Sequence, residues 1–150
     1  MKFDEKLNIS DMVKCAENFK KTIARALKLE ARDPKVFLGD ENDYSFEYQF
    51  ARSAVIQVFE TTIESAWKIM QRWIKINADS GIAEKPKREL FRIAHNSGLI
   101  ADPESWWNFY AARNKTSHTY HEEIAEEVYV AAKQFEKHLT DFIKRLEERR

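Results

Sequence analysis

The sequence predicts an all-α fold: an up-and-down bundle of four main helices with one short extra helix, in a single domain spanning residues 1–150. Three observations carry this. Apolar residues recur at three- and four-residue steps over three long stretches. Gly and Pro number three each, too few for a fold rich in turns. Hydrophobic residues make up 43% of the chain, enough for one core at this length.

The first helix is expected from Ser10 to Glu30, with Ile9, Met12, Val13, Ala16, Phe19, Ile23, Ala26 and Leu27 as its apolar stripe. Lys14, Lys20, Lys21, Arg25 and Lys28 lie off that stripe. Interrupted by Asp11, Glu17 and Glu30, they read as a solvated surface, with a nucleic-acid face as the alternative. A connection follows from Arg32 to Tyr44, because Asp33-Pro34 disfavours helix and Gly39-Asp40 reads as a turn.

The second helix is expected from Ser45 to Ala78, with a core stripe running from Phe46 through Phe59 to Ile74. Its middle, Ala54 to Phe59, is apolar nearly all round, and such a helix is buried on more than one side. Either a second subunit covers the extra face, making a dimer with Val55 and Val58 at its interface, or the first helix or a loop does. Glu60, Glu64 and Lys68 share one face at four-residue steps. They are either a favourable surface series or a polar wall facing the motif described below.

A short third helix starts at Pro86 and stops before Gly98, where a left-handed residue is expected. Asp102-Pro103-Glu104 opens the fourth with a cap, a first-turn proline and an acid at the positive dipole end. Its aromatics, Trp106, Trp107, Phe109 and Tyr110, either pack the helix down or stack bases. It should end near Arg113. The fifth helix runs from Tyr120 to about Glu147, with Ile124, Val128, Ala131, Phe135, Leu139, Phe142 and Leu146 inward. Thr119, three residues before Glu122, spells a capping box and is the expected N-cap.

Composition narrows the function. The net charge is zero, so nucleic-acid contact requires a local patch. Cys15 is alone, which rules out a disulfide within the chain and fits a reducing cytoplasm. No apolar run approaches a membrane span, and Met1 to Glu5 lacks the apolar core of a secretory signal. His95 and His121 read as surface or satisfied histidines, and no His, Cys or carboxylate spacing suits a metal. No metal or cofactor is therefore expected.

The chemistry concentrates in Arg113-Asn114-Lys115-Thr116-Ser117-His118-Thr119-Tyr120. A guanidinium forks onto phosphate oxygens, and an imidazole exchanges protons near neutral pH. With a helix N-terminus beside them, they would form an anion site suited to phosphoryl transfer on a nucleic acid. A solvated interhelical loop is the plainer reading of the same residue types.

The spelling Arg113-x4-His118-x-Tyr120 resembles the HEPN superfamily, and more narrowly its HepT-type subgroup, also called nucleotidyltransferase substrate-binding proteins. Phe59-Glu60, Glu64-x-x-Trp67-Lys68, Gly98-Leu99-Ile100, Asp102 and Trp106 or Trp107 follow that family's order, so the resemblance runs from about Phe46 to the C-terminus. It implies a helical homodimer and a metal-independent endoribonuclease with Arg113 and His118 catalytic. It further implies a toxin silenced when a small nucleotidyltransferase transfers AMP onto Tyr120. Asn114, Lys115, Lys68 and Glu64 are the expected supporting or RNA-contacting residues. His121 departs from the family, which more often has an acid there. Two other classes stay open: a non-catalytic substrate- or nucleotide-binding subunit of a two-component nucleotidyltransferase, and an adaptor bundle in which the motif is only a folded loop.

Overall fold

The computed structural model describes residues 7–32 and 41–149. Among these are five α-helices: α1 Ser10–Glu30, α2 Glu41–Asn77, α3 Lys87–Asn96, α4 Pro103–Arg113 and α5 Glu122–Arg149. Single 3₁₀ turns at Ile82–Glu84 and Thr116–His118 precede α3 and α5, and no strand occurs among the described residues. The fold is all-α, as the periodicity predicts, with three long helices and two short ones. No helix among the described residues is long and apolar enough to cross a membrane.

Each long helix buries one stripe. α1 buries Met12, Ala16, Phe19, Ile23 and Ala26 and exposes Lys14, Lys21, Arg25 and Lys28. α5 buries Ala125, Val128, Tyr129, Ala132, Phe135, Leu139, Phe142 and Leu146. α2 rises about 1.5 Å per residue and serves as the spine on which the others pack. It begins at Glu41, four residues before the predicted start, because its first turn is polar and carries no apolar signature. Tyr44, expected in the connection, therefore belongs to α2, whereas Asp33-Pro34 and Gly39-Asp40 lie outside the described residues.

Phe135 sits where these stripes meet. Its ring takes edge-on contacts from Phe19 of α1 at 5.6 Å, Phe59 of α2 at 5.5 Å, and Trp106 and Phe109 of α4, both at 5.2 Å. Edge-to-face pairs at this spacing add about 0.5–1.5 kcal/mol each beyond the area they bury. The far ends of α2 and α5 are tied by Trp73 Nε1, which donates to the Arg149 carbonyl at 3.1 Å.

The short helices end as their local chemistry dictates. Asp102 caps α4, its carboxylate accepting from the Glu104 and Ser105 amides at 3.1 and 3.3 Å and from the Ser105 hydroxyl at 2.7 Å. These donors hold its carboxyl below the ordinary range, the Ser105 hydroxyl foremost. α3 closes in a Schellman motif: Leu99 N–H donates to the Ala94 carbonyl and Gly98 N–H to that of His95. Gly98 has φ +83°, and a Cβ there would also meet the Arg149 guanidinium at 2.8 Å.

The apolar run of α2 is mostly enclosed within the subunit. Val55, Ile56 and Phe59 are buried and Ala54 and Val58 half-buried, leaving Gln57 exposed. Val55 is thus a core residue and not an interface position. The exposed apolar side chains of α2 lie elsewhere, at Phe46 (65%), Phe50 (67%) and Ile76 (65%).

Candidate functional site

α4 ends on Arg113 and delivers its guanidinium to the polar face of α2. Arg113 Nη2 lies 2.5 Å from Glu64 Oε2 and 3.8 Å from Glu60 Oε2. Glu64 also faces Lys68 Nζ at 3.5 Å. Glu60 accepts from the Thr116 hydroxyl at 2.7 Å, and that hydroxyl also lies 2.9 Å from the Arg113 carbonyl. The series Glu60, Glu64, Lys68 is therefore the polar wall behind the motif. The Nε and Nη1 groups of Arg113 have no hydrogen-bond partner among the described residues, so part of its fork remains for an anion.

The electrostatics follow the geometry. The Arg113 hydrogen bond, opposed by desolvation, keeps the Glu64 carboxyl below its ordinary value. Arg113 in turn holds its proton more firmly, chiefly through Glu64.

Beyond Arg113 the chain departs from the expected capping box. Residues Thr116–His118 form a 3₁₀ turn, and His121 N–H donates to the His118 carbonyl at 3.1 Å, which makes a further tight turn. The Thr119 hydroxyl donates to the Thr116 carbonyl at 3.1 Å, and Thr119 lies three residues before Glu122, ahead of the position that would cap α5. α5 begins at Glu122, with the His121 carbonyl taking its first helical bond, from Ala125 N. Tyr120 and His121 thus precede the helix instead of opening it. Glu122 and Glu123 stand in the first turn of α5, where their negative charge disfavours a further anion beside His118.

His118 and Tyr120 are exposed, with ring centroids 6.2 Å apart, and Tyr120 lies 4.3 Å from the His121 ring. Neither the His118 nor the His121 ring has a side-chain hydrogen bond among the described residues. The structure brings Arg113, Glu64 and Lys68 together. It leaves Asn114 exposed at the C-cap of α4, and it pairs Lys115 with Glu127 at 2.7 Å, away from Arg113.

Sequence reasoning missed a second network that sets the start of α5. Arg52 of α2, only 7% exposed, reaches Glu122 at 2.5 Å and Glu126 at 2.6 Å, and Tyr48 donates to Glu126 at 2.8 Å. Burial drives the Tyr48 hydroxyl well above its ordinary pKa, and Glu126 adds to this. The signal was present: Arg52 stands four residues after Tyr48 and three, four and seven before the buried Val55, Ile56 and Phe59. A charge at a core-spaced position needs a partner. Between the two networks lies an open recess of about 210 Å³, lined in part by Arg52, Gln57, Glu60, Thr116 and Thr119. Among the described residues no three His, Cys, Asp or Glu side chains are grouped so as to hold a metal ion.

The family described as nucleotidyltransferase substrate binding protein like matches residues 7–148, and the chain belongs to it. A relative from Haemophilus influenzae named "Probable ribonuclease HepT" is 36% identical over 86 residues, 55% of this chain and 58% of that protein. The match therefore spans less than two thirds of the relative. A solved Haemophilus influenzae structure, presented as the fold of a substrate binding domain of a nucleotidyltransferase, superposes with a TM-score of 0.77. It is 24% identical, and the match covers 93% of this chain and 99% of that one. A Thermus thermophilus protein superposes at 0.59 with 24% identity, covering 85% and 98%. At such identities the two structures speak for the fold alone.

The Glu64–Arg113 pair has a defined pH signature. A carboxylate whose pKa is depressed on folding stabilises the protein above its unfolded value, near 4.5, and loses that contribution as pH falls toward the depressed value. Because the pair is partly exposed, Glu64→Gln should cost no more than about 1 kcal/mol at pH 7, or about 2–4 °C in Tm. The gap between variant and parent should narrow as pH falls below about 4.5 and vanish below the depressed pKa. Thermal melts across pH measure this, and a gap equally large at pH 3 and pH 7 would contradict the pairing.

Proposed function

We propose that the chain is a HepT-like toxin: a metal-independent endoribonuclease built on Arg113, His118 and Tyr120, and silenced by AMP transfer onto Tyr120 from a partner nucleotidyltransferase. The observation that carries this reading is the open part of the Arg113 fork, held against Glu64 at 2.5 Å, with an unpartnered imidazole one turn further along the chain. In this mechanism the RNA 2′-hydroxyl attacks the adjacent phosphorus. His118 takes its proton. Arg113 stabilises the charge that builds on the phosphoryl oxygens. The P–O5′ bond breaks, and the leaving oxygen takes a proton from the imidazolium or from solvent. Glu64, with Glu60 behind it, holds the guanidinium in place, and Lys68 offsets the carboxylate charge. Asn114 and Lys115 contact RNA only from the rim.

Tyr120 suits the regulatory role because it is 76% exposed, so an enzyme can reach its hydroxyl. AMP there adds a negative phosphate close to His118 and in the path of RNA. The second reading, a substrate- or nucleotide-binding subunit without chemistry of its own, draws on the family's description as nucleotidyltransferase substrate binding protein like.

Purified protein should cleave single-stranded RNA in EDTA, and His118→Ala or Arg113→Ala should reduce the rate by at least about 100-fold. Incubation with the partner nucleotidyltransferase and ATP should add one AMP to the intact mass, absent in Tyr120→Phe, and abolish cleavage. Cleavage undiminished in His118→Ala would refute the nuclease reading, and a mass increase that persists in Tyr120→Phe would remove Tyr120 from regulation.

A homodimer fits the same reading. Its anchors are Phe46 and Phe50, exposed on the N-terminal half of α2, since Val55 lies in the core. Phe50→Asp should shift the sedimentation coefficient to that of a monomer. An unmodified protein that already sediments as a monomer would end the dimer proposal.

A further inference from the structure

Trp107, Tyr110 and Arg113 recur at three-residue steps and share one face of α4. Trp107 and Tyr110 lie 5.8 Å apart between ring centroids. Facing them, α2 presents Glu64, Trp67 and Lys68 on one side. The first turn of α3 contributes Lys87 and Arg88. Lys87 Nζ stands 4.0 Å from the Trp67 ring centroid and Lys68 Nζ 5.8 Å from it, and Arg88 Cζ stands 4.6 Å from that of Trp107. Trp67, Trp107 and Tyr110 are half-buried, unlike Trp106 and Phe109, which are buried in the core. The strip reaches the site: Lys68 meets Glu64, Glu64 meets Arg113, and Tyr110 stands three residues before Arg113 on α4.

We propose that Trp67, Lys68, Lys87, Arg88, Trp107 and Tyr110 form a track for the single-stranded RNA flanking the cleaved phosphate, an inference that rests on the endoribonuclease reading above. Single-stranded nucleic acid is held by rings on which bases stack and by cations that follow the phosphates. Here the two alternate along one surface. In the free protein the cations rest over the indoles, where the ring quadrupole attracts them. An arriving strand offers a phosphate to each cation and a base to each ring, so the groups exchange partners instead of losing them. Glu104, 2.9 Å from Arg88, is an exposed partner that a phosphate can replace at small cost. From Trp107 to Arg113 the helix rises about 9 Å, the length of roughly three stacked nucleotides. A duplex hides its base faces and gains only the charge interactions, so the track selects single strands.

The test uses His118→Ala protein, which binds RNA without cutting it, and a short unstructured RNA followed by fluorescence anisotropy over a salt series. Adding Lys87→Glu and Arg88→Glu should weaken binding by at least about tenfold and reduce the salt slope by about 0.7 for each phosphate no longer neutralised. Melting curves confirm that these surface variants fold. Indole emission should be quenched on binding, and less so in Trp107→Phe. An unchanged affinity and slope, in a parent that binds RNA, would overturn the track while leaving the nuclease reading intact. A parent that binds no RNA would overturn both. Variants that bind RNA normally but lose the partner nucleotidyltransferase would make the strip a protein-docking face and refute the proposal.

Discussion

The packing of four aromatic rings around Phe135 is the constraint on which the rest of the molecule depends. One residue of α5 receives edges from α1, α2 and α4, so the orientation of the short α4 is set by the same contacts that close the core. Because α4 cannot rotate without breaking those contacts, its last residue must meet the polar face of α2. The core therefore positions Arg113, and the ion pair with Glu64 is a consequence of packing as much as its cause. A partly exposed pair of this kind contributes little to stability on its own. Its value lies in fixing where the guanidinium points.

That placement also sets the electrostatics of the candidate site. Two carboxylates near one guanidinium make an electrostatically guarded site in a protein of zero net charge. Phosphate binding must then draw on the remaining N–H groups of Arg113 and on cations beyond it, since Glu122 and Glu123 carry negative charge in the first turn of α5. Lys68 and the first turn of α3 supply such cations along a surface that also carries indoles. On the proposed reading, a phosphate attached to Tyr120 would compete with RNA for these few cations.

Much of this was legible in the sequence where one local rule decides the outcome. The stripes of α1, Leu27 apart, and of α5, the Asp102 cap and the Gly98 stop follow from periodicity and capping chemistry alone, and four-residue spacing puts Glu60, Glu64 and Lys68 on one face without saying that the face meets Arg113. Thr119 failed as a cap because a tertiary contact, Arg52 with Glu122 and Glu126, sets the start of α5 and leaves the preceding residues to two tight turns. The double-sided run at Ala54 to Phe59 does not report an interface at Val55, because α2 is the spine of the bundle and is covered on several sides within one subunit. Thr116 was not singled out, since a hydroxyl that joins two helices through Glu60 leaves no periodic trace.

The proposed mechanism begins with a 2′-hydroxyl attacking its neighbouring phosphate, with His118 moving the proton and Arg113 receiving the charge. The most direct measurement is mass spectrometry of the ends of RNA fragments released by the purified protein in EDTA. Fragments ending in a 2′,3′-cyclic phosphate, each paired with a 5′-hydroxyl end, are the predicted products. Fragments with 3′-hydroxyl and 5′-phosphate ends would mean that water or another external nucleophile attacks the phosphorus, and would contradict the mechanism at its first step.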